Sequence, residues 1–232
     1  MDKKAFVYRG FAAIAKSYDL VNTLLSFGLD AWWRHEAIKA LRLSDTEADK
    51  GLVLDCCAGT MRLSQRINSR APRSRIVPLD FSLPMLDKGR RRLKDTTIMP
   101  LCGDAEQLPF YTGTFDRAIV GFGIRNLSDP HKGVEELARV LKGKGRMVIL
   151  EFGRPTVPIF KNLYQWYLSR FIPWAGGLVS GHKEVYRYLQ TSIMAFAEPE
   201  ELMGMMQKAG FSQISCRRLT GGIANLYIGE KI

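Results

Sequence analysis

The spacing of apolar residues changes several times along the chain, and each change marks a different kind of element. Over residues 5–17 and 30–42, Phe, Ile, Leu and Trp recur at helical intervals on either side of Tyr18-Asp19-Leu20-Val21-Asn22, which predicts an N-terminal helical cap within residues 1–45. From residue 51 onward, short continuous apolar runs alternate with amphipathic stretches. Strands are expected at 51–55, 75–79, 97–102, 115–121 and 147–152, and helices at 61–69, 83–93 and 130–141; a Gly143-Lys144-Gly145 turn leads into the fifth strand. Continuous apolar runs suit strands covered on both faces, so the alternation predicts a doubly wound α/β fold around a mostly parallel sheet. After a helix at Pro199–Ala209, residues 211–219 and 223–229 read as a hairpin across Thr220-Gly221-Gly222, which brings the sheet to seven strands and adds one antiparallel C-terminal strand. Residues 154–195 break the rhythm. Phe160, Tyr164, Trp166, Tyr167, Phe171, Trp174 and Tyr186 spread through helix-like stretches there, as extra core or as a helical lid.

With 232 residues, 46% of them hydrophobic, the chain can bury a full core, and a single domain over residues 1–232 is expected. No apolar stretch approaches the roughly 18 residues that cross a bilayer, and the polar start Met-Asp-Lys-Lys-Ala-Phe does not resemble a secretory signal, so a cytoplasmic location is expected. Cys56, Cys57, Cys102 and Cys216 lack metal-ligand spacing and read as reduced, buried apolar residues, so no metal is expected. The net charge of +11 favours polyanions or an anionic membrane. Its densest cluster, Lys88-Gly89-Arg90-Arg91-Arg92-Leu93-Lys94, has no nucleic-acid motif beside it and reads as a solvated helix face; a nucleic-acid partner is not expected, and homo-oligomerisation stays open.

Ligands of open parallel sheets sit outside the carboxyl ends of the strands. Those ends carry Asp55, Asp80, Gly103-Asp104-Ala105 and Gly121-Phe122-Gly123. A single acid there is adequately explained as a helix cap, but three at successive strand ends ask for a hydroxyl-rich or cationic ligand. A dinucleotide turn requires Gly-x-Gly-x-x-Gly beneath a pyrophosphate, and here those positions are Cys57, Gly59 and Arg62. A nucleoside without phosphate, such as S-adenosylmethionine (SAM), fits better than NAD. A hydrolase is disfavoured because Gly-x-Ser-x-Gly is missing.

Further segments give the chain a recognisable signature: Tyr18-Asp19-Leu20-Val21-Asn22 with Ser26-Phe27-Gly28, Val53-Leu54-Asp55 with Gly59-Thr60, Gly103 to Phe110, Phe122-Gly123-Ile124-Arg125-Asn126, Glu151-Phe152, Tyr186-Arg187-Tyr188-Leu189 and Leu219 to Ala224. Together they resemble the quinone-biosynthesis C-methyltransferases, a class I SAM-dependent group with a Rossmann-like fold, over essentially the whole chain. Phe122–Asn126 and Tyr186–Leu189 are the most particular of these segments. The resemblance implies SAM as cofactor, with Asp55 near its methionine moiety, Gly59 and Thr60 in the first turn, Asp80 on the ribose hydroxyls, and Asp104 and Ala105 beside adenine. Gly121 stands where the family often has serine. The acceptor implied is a prenylated quinol, most of all demethylmenaquinol, with Arg125, Asn126 and Tyr186 acting on its oxygens.

Arg125 suits an oxyanion because its guanidinium stays charged, and for the same reason it is a poor base. Among His35, His131 and His182, the last lies in the expected lid and is the better candidate base. Trp166, Tyr167, Phe171 and Trp174 could line the prenyl tail or rest on an anionic membrane at its inner face. The turn departs from the family at Ala58, Met61 and Arg62, where it usually carries Gly, Gly and Asp. Arg62 could pair with the cofactor carboxylate, select a SAM bearing an additional carboxylate, or mark a decayed site. Methylation of another acceptor, or a non-catalytic quinone-binding scaffold, are the alternative readings.

Overall fold

In the computed structural model, which describes residues 3–43, 51–93, 98–155, 162 and 164–232, strand and helix alternate as the sequence predicts. The cap is α1 (Lys3–Ile14), α2 (Tyr18–Leu25) and α3 (Leu29–Ala40). Next come β1 (Leu52–Cys56), α4 (Arg62–Arg70), β2 (Arg75–Asp80), α5 (Leu83–Arg90), β3 (Leu101–Cys102) and β4 (Phe115–Gly121). A 3-10 turn at Ile124–Asn126 precedes α6 (Pro130–Val140) and β5 (Leu141–Phe152). A π-turn at Tyr167–Phe171 runs into α7 (Ile172–Ser180), followed by α8 (Lys183–Ala195), α9 (Pro199–Lys208), β6 (Phe211–Leu219) and β7 (Ala224–Lys231). Phe160, Lys94, residues 44–45 of the cap and the start of the third expected strand at 97 lie outside the described residues.

The sheet has seven strands in the order β3-β2-β1-β4-β5-β7-β6. Strands β1 to β5 pair in parallel, and β7 runs antiparallel to both β5 and β6. The hairpin across Thr220–Gly222 therefore folds the last strand inward, between β5 and the edge strand β6. Consecutive residues of the central strands are buried on opposite faces. Leu54, Ala118, Val120, Met147 and Ile149 meet α6 and α9 on one face, whereas Val53, Ile119, Val148 and Leu150 meet α3 and α4 on the other. That two-sided burial is the reason the strands read as unbroken apolar runs.

Two expectations shift. Tyr18–Leu25 is itself a helix rather than a link between helices: α1 stops at Ile14, and Val21 turns inward from α2 onto Tyr164, Leu168, Ile172, Tyr186 and Ile193. Cap and insertion thus share a small core of their own, so the aromatic insertion supplies extra core. The Gly143–Gly145 turn lies inside β5, not before it. Leu141 already pairs with Phe115, and Arg146 pairs with Arg117, so the intervening residues bulge out with Lys144 at φ 63°.

Candidate active site

Strands β1 and β2 end in two buried acids that do different work. Asp80 binds the first turn directly: its Oδ2 accepts the Gly59 N–H at 2.8 Å and its Oδ1 the Ser82 N–H at 2.8 Å. Gly59 takes φ 54°, a left-handed conformation that suits glycine. Asp55 is fully buried and accepts the Ser64 N–H and hydroxyl on Oδ2, at 3.0 and 2.5 Å, while its Oδ1 has no partner. Burial pushes both carboxyls up to about 6, against the pull of the Ser64 bonds and Arg34 on Asp55 and of the two backbone bonds on Asp80.

Gly59, Asp80, Asp104, Ala105 and Gly121 line one cleft over the strand ends. Helix α1 reaches across it, where Lys4 pairs with Asp104 and Lys3 donates to the Arg125 carbonyl at 3.1 Å. Burial raises the Asp104 carboxyl, but bonds from Lys4 and the Glu106 N–H outweigh it and hold the group below its ordinary range. Gly121 has no room for serine: a Cβ there would lie 2.5 Å from Leu63 Cδ1. Thr60 turns away from the cleft, its hydroxyl donating to Asp19 at 2.6 Å.

A second, larger cavity of about 320 Å³ lies between the cap and the aromatic insertion. Its walls are mainly apolar, and Arg125, Tyr186, Tyr188 and Arg34 are among its polar lining. Phe11, Tyr18 and Phe122 line both spaces, so cleft and cavity meet there. Arg125 is buried beside Glu151: Nη1 donates to Oε1 at 2.6 Å and to the Phe122 carbonyl at 2.7 Å, and the guanidinium lies over the Phe152 ring at 5.2 Å. Its Nε has no partner, nor has the Tyr188 hydroxyl.

Of the expected acceptor residues, Arg125 and Tyr186 line the large cavity, whereas Asn126 lines the cleft and donates from Nδ2 to the Phe122 carbonyl at 3.3 Å. None of the histidines lines either space among the described residues. His35 and His131 are exposed, and His182 precedes α8 with Nδ1 3.3 Å from Glu184 Oε1. Arg62 does not face the cleft. It donates to Asp30 Oδ2 at 2.9 Å and to Thr23 Oγ1 at 3.0 Å, which ties α4 to the cap and corrects the expectation that it reaches the cofactor. Met61 is buried, lines neither space and takes φ 59°. Arg34 and Tyr188 were missed as site residues. Arg34 looked like one more polar position on an amphipathic helix, and only the folded cap reveals it as buried.

The sheet order, the glycine turn held by the acid that ends β2, and an apolar cavity joined to that cleft define a SAM-dependent methyltransferase. The chain belongs to the ubiE/COQ5 methyltransferase family, whose model matches residues 1–231. It is 42% identical over 226 residues to the ubiquinone/menaquinone biosynthesis C-methyltransferase UbiE of Citrifermentans bemidjiense, covering 95% of this chain and 94% of that one. It is 40% identical over 230 residues to the demethylmenaquinone methyltransferase of Thermotoga maritima, covering 99% and 97%. Among solved structures, a SAM-dependent methyltransferase from Thermotoga maritima matches with a TM-score of 0.65 at 19% identity, over 97% of this chain and 99% of that one.

The cleft fits SAM on its own chemistry. The Asp80 and Asp104 carboxyls on its wall are acceptors of the kind that ribose hydroxyls and an exocyclic amine require, whereas Asp55, expected at the methionine end, is buried behind the turn and lines neither space. The raised acids set a pH dependence. Without ligand, the fold favours their neutral forms, so the stability they contribute is present below the ordinary carboxylate range and is lost as pH rises through about 6. A ribose needs the ionised acceptor, so SAM affinity is expected to weaken as pH falls from 7 through 6, with protons released on binding near pH 6. Calorimetry in buffers of different ionisation enthalpy measures both; an affinity flat from pH 5 to 7.5 contradicts the assignment.

Proposed function

We propose that the protein transfers the methyl group of SAM to a ring carbon of a prenylated quinol, demethylmenaquinol in the first instance. The observation that carries this is the large apolar cavity, joined to the cofactor cleft and carrying the buried guanidinium of Arg125 on its wall. The names of the relatives support the acceptor class. In the cleft, Asp80 takes the ribose hydroxyls, Asp104 and Ala105 flank adenine, Gly59 and Gly121 line the wall, and Asp55, held by Ser64, and Thr60, held by Asp19, brace the first turn from behind.

SAM supplies an electrophilic methyl on a sulfonium. The chain aligns the acceptor carbon with it, excludes water and stabilises the ionised quinol oxygen that makes that carbon nucleophilic. Arg125 performs the last task, its guanidinium plane fixed on the cavity wall by the bonds from Nη1 to Glu151 and the Phe122 carbonyl. Tyr186 positions the second ring oxygen, and Asn126 braces the Phe122 carbonyl at the junction. Tyr18 stands at the same junction, and burial raises its phenol above the usual range, so it donates rather than abstracts a proton.

The acceptor reaches this cavity from a membrane. Leu20, Leu24, Phe27, Trp166, Trp174 and Leu178 are exposed on α2, the turn after it and the lid, with Phe27 at 77%, and Phe27 and Trp166 also line the cavity. Among the described residues no helix is long and apolar enough to cross a membrane, so contact is peripheral, at the cytoplasmic face, helped by the net charge of +11. Methyl-labelled SAM incubated with reduced demethylmenaquinone in anionic vesicles tests the whole reading. Label should enter the quinol and the protein should float with the vesicles, both less at high salt. No label in either this quinol or its benzoquinol counterpart overturns the function; transfer without vesicle binding overturns the membrane contact.

A further inference from the structure

Helix α1 forms one wall of the cleft, and little holds it there. Of its residues only Val7 and Ile14 are buried. On the cleft side its links are the ion pair between Lys4 and Asp104, whose side chains are 46% and 31% exposed, and an edge contact between the Tyr8 and Phe81 rings at 5.8 Å. On the cavity side they are Lys3, which donates to the Arg125 and Leu127 carbonyls, and the Phe6 ring, 5.3 Å from that of Tyr188. Exposed ion pairs and single ring contacts are weak, so a helix held this way lifts readily about residues 15–17, which join it to α2.

The cleft cannot hold a nucleoside-sized ligand while α1 stays in place. It offers about 60 Å³ against about 320 Å³ in the large cavity, whereas sites for small molecules and cofactors offer roughly 300–1,000 Å³. Its acid is covered as well. Asp104 Oδ1 accepts the Glu106 N–H at 3.0 Å, so Oδ2 is the oxygen left for a ligand, and Lys4 occupies it. Lys4 and Phe11 are the α1 residues on the cleft wall, and most of the remaining wall is built on strand ends that the sheet fixes, so α1 is the wall that moves. Phe11 and Ile14 also line the large cavity, which therefore loses part of its own wall whenever α1 lifts.

We propose that α1 is a strap that lifts off Asp104 to admit SAM, closes over the bound nucleoside, and only then completes the wall against which the acceptor packs, so that SAM binds before the acceptor. This rests on SAM being the ligand of the cleft. An acceptor that arrives first packs on Phe11 and Ile14 and holds the strap down over an empty cleft.

A water-soluble carbodiimide reads the closed strap directly, because it activates a carboxylate for attack by an adjacent amine and joins the two as an amide with loss of a urea. In the parent protein without ligand, the Lys4–Asp104 bridge should form and be found by peptide mapping. With SAM at about ten times its Kd the bridging rate should fall roughly tenfold, since only unloaded protein bridges. The Lys142–Asp116 pair, at the opposite end of β4 from the cleft, should bridge at an unchanged rate and serves as the internal control. Stopped-flow mixing tests the order of binding. Oxidised demethylmenaquinone, which has no nucleophilic carbon to accept the methyl group, should slow SAM association roughly tenfold when preloaded at about ten times its Kd. An unchanged Lys4–Asp104 bridging rate in SAM-saturated protein overturns the strap, and SAM association indifferent to the quinone overturns the order. If the parent protein binds no SAM in calorimetry, the cofactor reading itself falls, an outcome distinct from the other two.

Discussion

Arg125→Met enzyme is expected to turn over about 100- to 1000-fold more slowly than the parent while binding SAM with unchanged affinity, the loss typical of removing one donor from a developing oxyanion. The separation of effects follows from position. Arg125 lines the large apolar cavity, and Asp80 and Asp104 line the cleft across the junction. The substitution also strands Glu151, which is fully buried and takes Arg125 Nη1 on Oε1 and the Arg125 N–H on Oε2. Breaking a buried pair from one side costs about 3–5 kcal/mol, so a lower melting temperature accompanies the slow turnover. The paired variant Arg125→Met, Glu151→Gln removes the stranded charge. It should regain most of the stability and none of the rate, which divides the catalytic effect from the structural one. Single-turnover methyl transfer and thermal unfolding measure the two. A rate within fivefold of the parent in the paired variant would remove Arg125 from the mechanism.

The difference between what was legible in the sequence and what was not follows the range of the interactions. Strands β1, β2 and β4 were readable within a residue or so because burial on both faces writes itself locally as unbroken apolar runs, and Asp55, Asp80 and Gly121 were readable because strand ends follow from strands. The cap was legible as helical, but Tyr18–Leu25 carries no helical period long enough to read by itself, because its inward face meets Tyr164, Leu168 and Ile172, well over a hundred residues away. The same distance hid Arg34. On α3 alone it is an arginine four residues after an aspartate, a surface ion pair by pattern, and its burial depends on Phe122 and on the close approach of the Gly121 backbone. Motif resemblance grouped Asn126 with Arg125 but not its side of the junction, because one 3-10 turn sends Arg125 into the cavity and Asn126 into the cleft.

Reversing the charge of Arg62 is expected to destabilise the fold more than any other change in the first turn. Arg62→Asp sets a second acid against Asp30, whose side chain is 4% exposed, and removes the bond to Thr23, so a loss of about 3–5 kcal/mol is expected. The reciprocal variant Asp30→Arg, Arg62→Asp restores an ion pair across the same gap between α3 and α4 and should recover much of that loss, giving a coupling energy in a double-mutant cycle read by urea unfolding. Additive losses would mean that the 2.9 Å contact contributes nothing. The neighbouring Met61→Gly is a contest of two terms. Glycine relieves a left-handed backbone worth about 1–2 kcal/mol, but it also empties a fully buried side chain packed under Gly89, at about 2–5 kcal/mol. The cavity term is the larger, so Met61→Gly should lower stability modestly and leave SAM affinity alone, since Met61 lines neither the cleft nor the cavity. A gain in stability would show that the turn, rather than the core beneath it, dominates at this position.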